Sequence, residues 1–239
     1  MCGRYSLFAP PAEIEARFDV TLPAGFQPRY NAAPSQSLPV VDQSASVEMM
    51  EWGFVPSWAD DASDFQFINA RAETLSEKPT FRGAFEQTSD GTFACGRCLV
   101  LADGFYEWTE ENGQKQPYRV TLAQEEPFAM AGLWARWQPS QTQTGLGDFA
   151  GGEQTEPDVR ETFAIVTTEP NDLIADLHHR MAVILPEGRE QEWLRTAPED
   201  ATQLLAPYPA EEMRAYPVST AVNDPSNDTP NVLEPVDPS

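Results

Sequence analysis

The sequence predicts a single α+β domain, with a mainly antiparallel, barrel-like β-sheet core and short peripheral helices. Three observations carry that expectation. Short apolar runs with strand-like patterning recur from residue 40 to residue 185, the helical patterns between them are brief, and strand and helix never alternate in the regular manner of a parallel sheet. At 239 residues and 41% hydrophobic content the chain can bury one substantial core. The domain is expected to span 1–239, with a polar surface insertion at 138–160 and an irregular acidic tail at 223–239.

Along the chain, Pro10-Pro11 introduces a short amphipathic helix in which Ile14 and Phe18, four apart, share a face. Residues 27–36 are loop-like. Val40–Val41 and Val47–Trp52 predict a hairpin across a polar turn. Asn69 and Arg71, two apart in FINARAET, point the same way if that piece is extended. KPTFRGAF at 78–85 turns into a short helix, and CGRCLVLADGFYEW at 95–108 reads as a buried strand ending at a glycine turn. Tyr118–Leu122 and Phe128–Trp137 are expected as adjacent antiparallel strands, with Gly132 marking a bulge or a close backbone approach. A strand at Glu161–Thr168, a helix at Pro170–His179, a strand at 181–185 and helices at Glu187–Arg195 and Glu199–Leu205 complete the order.

Charge is the loudest compositional feature. Thirty-eight acids face fifteen bases for a formal −23, and Lys78 and Lys115 are the only lysines. Such a surface predicts a salt-loving host, and its net charge opposes the approach of nucleic acid without fixing the local field in a cleft. No run approaches the ~20 apolar residues of a membrane span, and no signal peptide opens the chain. Cys2, Cys95 and Cys98 cannot all pair, which favours a reducing compartment. A cytoplasmic monomer with no membrane partner, nucleoid-associated when acting on DNA, is expected.

The chemistry-bearing residues are few. Loss of Met1 from MCGRY would leave Cys2 with a free α-amine beside its thiol, groups with ordinary pKa values of about 7.7–8.0 and about 8.5. Such an aminothiol attacks an aldehyde twice, first as an imine and then as a thiazolidine; alternatively, the amine serves as base for its own thiol. Read alone, Cys2 is equally a small buried hydrophobe. His178 and His179 are the only histidines and sit at a predicted helix end, pointing different ways. Glu107, flanked by Tyr106 and Trp108, has surroundings that raise a carboxyl pKa, although a solvated strand end is as compatible with its position. Cys95-Gly-Arg-Cys98 has half a zinc spacing but lacks a second ligand pair, so no metal and no cofactor are expected. Arg4, Arg29, Arg71, Arg97 and Arg180 stand near these stretches, and Trp52, Trp58, Tyr106 and Trp108 could stack on bases or fill core.

Taken together, these stretches resemble the SOS response-associated peptidase (SRAP) family of abasic-site processing proteins. The resemblance runs through MCGRY, RYNAAPSQ (29–36), WGFVPSW (52–58), NARAET (69–74), KPTFR (78–82), RCLVLADGFYEW (97–108), MAGLWARW (130–137), FAIVTTEPN (163–171) and LHHRM (177–181). It implies covalent capture of abasic sites in single-stranded DNA, with Cys2 as nucleophile, Asn69 orienting the amine, Glu107 shuttling protons and His178 matching the family's histidine. It further implies DNA contacts at Arg4, Arg71, Arg180, Trp58 and Thr167, and a channel bordered by Asn31 and Pro34. The peptidase label implies at most N-terminal self-processing, beside a lyase side activity. Ala182 and Leu101 stand where the family usually has proline, and the 138–160 insertion is unusually polar. An N-terminal-cysteine amidohydrolase, as in glutamine amidotransferases, and a non-catalytic reader of modified DNA are the alternatives.

Overall fold

The computed structural model describes residues 2–87, 95–111, 113–139 and 159–237. Strand β1 (Tyr5–Leu7) leads into α1 (Pro11–Phe18), whose buried stripe is Ile14 and Phe18. Proline suits its first turn because that backbone N–H would have no helical partner anyway. Next come β2 (Arg29–Ala32), β3 (Ser37–Val41), β4 (Val47–Trp52), β5 (Asn69–Arg71), α2 (Pro79–Glu86), β6 (Cys95–Ala102) and β7 (Gly104–Glu111). They are followed by β8 (Gln114–Leu122), β9 (Phe128–Trp137) and β10 (Arg160–Thr168). The C-terminal part adds α3 (Asp172–Ala175), β11 (Met181–Ala182), α4 (Glu190–Arg195), α5 (Pro198–Ala201) and β12 (Met213–Pro217).

Five strands close into a ring, β10-β4-β3-β6-β9 and back to β10, because β9 pairs with both β6 and β10. Strands β5 and β11 extend the ring from β10. A second sheet runs β12-β8-β7-β1-β2. All pairings are antiparallel except β4 and β5 against β10, so the expected barrel-like α+β class is what the chain adopts. No helix among the described residues is long and apolar enough to cross a membrane.

One pairing differs from expectation. The strands at 118–122 and 128–137 are not neighbours: β8 pairs with β7 and β12, while β9 sits between β6 and β10. Burial explains the separation. Nearly every residue of β9 is covered on both faces, as suits a strand in the middle of the closed ring. Gly132 does mark a close approach, since a Cβ there would lie 2.8 Å from Cys98 Sγ and 2.9 Å from Val100 Cγ2.

The helices are shorter than their patterns suggest. Asn171 caps α3 by accepting from Ile174 N, and regular structure ends at Ala175, so His178 and His179 lie beyond the helix. Gly188, with φ of +80°, holds a turn that delays α4 to Glu190. Of MAVIL, only Met181–Ala182 is strand, with Ile184 bridging to Met130. The tail forms 3-10 turns at Thr220–Asn223 and Pro230–Leu233, and Val222 and Val232 bury against Tyr106. The expected loss of Met1, and residues 140–158 of the insertion, lie outside the described residues.

A buried polar knot fixes the N-terminal strand. Ser6 Oγ donates to Asp103 Oδ1 at 2.6 Å, and Arg119 Nη2 donates to the same oxygen at 3.2 Å. Strand β1 pairs with β7 through Tyr5 opposite Phe105 and Ser6 opposite Gly104. Continuing that antiparallel register carries Cys2 and Gly3 toward Glu107. Core pairing thus positions the chain's first residues.

Candidate functional site

Cys2 is fully buried, and its Sγ lies 4.0 Å from the Arg4 carbonyl. Burial pushes its thiol well above the ordinary range, and the neighbouring Glu107 carboxylate adds to the push. Glu107 is itself 1% exposed, and burial pushes its carboxyl up to about 7. The expected flanking aromatics are not the cause. Side chains alternate along β7, so Tyr106 and Trp108 point to the opposite face, where Tyr106 donates to the Tyr30 carbonyl at 2.6 Å and Trp108 to Asn223 Oδ1 at 2.7 Å.

Asn69 enters from β5. Its Nδ2 donates to the Cys2 carbonyl at 3.0 Å and to the Ile68 carbonyl at 2.9 Å. Its Oδ1 is buried without a hydrogen-bond partner, an acceptor left over beside the first residue of the pocket.

Three strands bring the second cluster together. The parallel β5–β10 register sets Asn69 level with Ile165 and Arg71 level with Thr167, and Thr167 is level with Ala182 across β11. Arg180, just before β11, therefore reaches this edge. Its Nη2 donates to the Thr167 carbonyl at 2.6 Å, and its Nη1 and Nη2 fork onto Glu73. His178 Nδ1 lies 3.0 Å from the Arg180 N–H and 3.1 Å from the Arg180 carbonyl, so it accepts from the one or donates to the other according to its tautomer. Burial lowers the His178 pKa, which favours the neutral ring. The two histidine rings do not diverge: they stack with centroids 4.2 Å apart, because they occupy a turn and not a helix.

The remaining expected site residues divide by exposure. Arg71 is exposed at the end of β5, and Pro34 is half-buried. Trp58 is 52% exposed and opens an aromatic ladder, edge-on to Phe65, which leads through Phe67 and Phe81 to Phe54. Asn31 and Thr167, by contrast, are completely buried, so neither side chain can itself touch a strand. Asn31 Nδ2 instead donates to the carbonyls of Val222, Asp224 and Asn227, tying the tail down. Arg4 Nη1 donates to Asn31 Oδ1 at 2.8 Å and the Val222 carbonyl at 2.7 Å, with its guanidinium 5.9 Å from the Trp108 ring centroid. Arg29 pairs with Asp228, and Arg97 is buried over Trp193, donating to the Thr196 carbonyl. Cys95 and Cys98, three apart on β6, face opposite sides of the strand.

The tail is what sequence reasoning missed. Its signal was there: Ser219 and Asp224 accept from Ala221 N and Ser226 N in short polar turns, the mark of a folded strap and not a loose end.

Comparison with known proteins extends over the same ground. Residues 1–225 match the family described as SOS response associated peptidase (SRAP). The abasic site processing protein YoqW of Bacillus subtilis is 38% identical over 245 residues, covering 98% of this chain and 99% of the relative. The abasic site processing protein HMCES of Gallus gallus is 34% identical, over 89% of this chain and 67% of its own length. A crystal structure of a Bacteroides thetaiotaomicron protein superposes with a TM-score of 0.82 at 28% identity, covering 98% of this chain and all of that one. A match that runs from the buried N-terminal cysteine to the strap over Asn31 makes this chain a member of the SRAP family.

Proposed function

We propose that the chain captures abasic sites in single-stranded DNA, forming a thiazolidine through Cys2 once Met1 is removed, and thereby shields the lesion. The observation that carries this reading is Glu107, a buried carboxyl pushed up to about 7 within electrostatic reach of the Cys2 thiol. A group titrating there can both give and take a proton at neutral pH. The names of the relatives, abasic site processing proteins, supply the substrate class.

The order of steps follows from the shifts. A thiol held neutral by burial is a poor first nucleophile, so the amine attacks first. His178 suits opening of the sugar ring: its imidazolium form gives a proton to the ring oxygen while the anomeric hydroxyl gives up its own, so the aldehyde is exposed with no net change in protons. The amine adds to the carbonyl carbon, and the carbinolamine loses one water as Glu107 donates a proton to the departing hydroxyl. The Cys2 sulfur then bonds to the imine carbon while its proton passes to the imine nitrogen, with Glu107 as relay. The net change is the loss of one water. The spare Oδ1 of Asn69 suits an amine N–H, holding the nitrogen in line for attack.

Arg180 and Arg71 are assigned to phosphate, and Trp58 to base stacking. The buried Asn31 and Thr167 act indirectly, Asn31 by fixing the strap and Thr167 by holding Arg180. Incubation of the mature protein with abasic single-stranded DNA, undamaged DNA and glutamine in parallel separates the alternatives. A band shift that survives denaturation with abasic DNA alone is expected. Glutamine hydrolysis would favour the amidohydrolase, and equal non-covalent binding of both DNAs would favour a reader.

A further inference from the structure

Glu73 occupies the guanidinium fork of Arg180. Both its oxygens accept from Arg180, Oε1 from Nη1 at 2.6 Å and Oε2 from Nη2 at 2.9 Å. This two-bond fork is the geometry in which arginine holds phosphate. Arg180 is built into the wall: Nη2 is also held by the Thr167 carbonyl, and its backbone by His178 Nδ1. Side-chain exposure is 13% for Arg180 and 49% for Glu73, so the carboxylate is the half that can move. Arg71, exposed on β5, lies close enough to contribute with Arg180 to keeping Glu73 ionised. The acid is therefore paired with one of the two arginines assigned to phosphate and within the electrostatic reach of the other.

We propose that Glu73 is an internal phosphate surrogate, occupying the Arg180 fork in the free protein and giving way to a DNA phosphate when a strand binds. The inference rests on the assignment of Arg180 to phosphate made above. Exchange of one anion for another weakens the grip on any intact strand and reduces its salt dependence, because fewer counterions are released. Retention then depends on the covalent step, which only an aldehyde allows. A purely structural ion pair would behave in the opposite way: removing Glu73 would loosen Arg180 and weaken binding.

The test compares the full-length wild type, Glu73→Gln and Arg180→Gln for binding to undamaged fluorescent single-stranded DNA across potassium chloride concentrations, with thermal melts as a folding control. Glu73→Gln is expected to bind about two- to five-fold tighter at low salt, the range of an exposed ion pair. Its slope of log affinity against log salt should steepen by about 0.7, the value for one single-strand phosphate contact. Glu73→Ala supplies the same charge loss should glutamine disturb the fold. Arg180→Gln should bind more weakly than wild type. Binding by the Glu73 variants that is no tighter, or equally salt-dependent, overturns the surrogate while leaving Arg180 on phosphate if Arg180→Gln still weakens binding. Wild-type binding by Arg180→Gln removes the phosphate assignment, and the surrogate with it.

Discussion

Glu107 and Glu73 are the same side chain in two regions of one molecule, and they are displaced in opposite directions. Glu107 is closed inside the pocket at the chain's start, where burial raises its pKa to about 7. Glu73 lies half-exposed at the outer edge of β10, where hydrogen bonding to Arg180 lowers it. The inner region favours a proton in transit, whereas the outer one favours a fixed negative charge. Desolvation governs the first and pairing the second. If the proposed function holds, covalent chemistry and DNA grip can therefore be disturbed separately.

The largest separation is expected at the nucleophile. Cys2→Ser should abolish the stable adduct on a denaturing gel, leaving at most a reducible imine or a slow oxygen-ring adduct, while undamaged DNA binds as before. A comparable loss of plain DNA binding would break the division between the two regions.

Glu107→Gln comes next. Single-turnover capture should slow by roughly 10²–10⁴ with the shape of the pocket kept. With protonated Glu107 as donor, the wild-type rate should fall as pH rises through about 7, and that break should vanish in the variant. Stability carries the same sign. A carboxyl raised from 4.5 to about 7 on folding contributes stability that is complete below 4.5 and lost as pH rises through 7. Denaturant melts should show the wild type losing about 3 kcal/mol or less across that window and Glu107→Gln losing none of it.

The stacked histidines offer a finer division. His178→Ala should reduce initial capture rates by ~10-fold or more, whereas His179→Ala, whose ring only stacks on its neighbour, should stay within about twofold of wild type. Greater damage from His179→Ala would reverse the assignment of the pair.

The smallest effect should come from salt. Charge steering is screened beyond ~3 Å at 1 M, but short arginine forks and a covalent bond are not abolished by it. Capture yield is therefore expected to change by no more than about twofold from low to molar potassium chloride, which fits a chain with a formal −23. Complete loss with the protein still folded would mark an ordinary charge-driven binder.

Local patterns made much of this legible. The hairpin ending at Trp52, the buried strand from Cys95 and the helix bearing Ile14 and Phe18 all follow from spacing. Ring closure does not, because the double pairing of β9 depends on strands far away in sequence. At the site, Cys2, Asn69 and Glu107 lie together, and the Glu107 shift comes from burial and not from Tyr106 and Trp108, which alternate to the other face. Asn31 and Thr167 look like contact residues in their motifs and are buried supports instead. Glu73 carries no signal in the sequence: an acid two positions after Arg71 gains meaning only when Arg180, 107 residues later, folds against it.

The central claim is covalent capture by the first residue of the mature chain, and peptide mass spectrometry tests it most directly. Protein incubated with abasic single-stranded DNA, denatured, nuclease-trimmed and digested should yield one modified peptide. The account predicts a peptide that begins at Cys2, lacks Met1, and carries the sugar remnant less one water. A remnant on any other residue, or on a peptide retaining Met1, would contradict it.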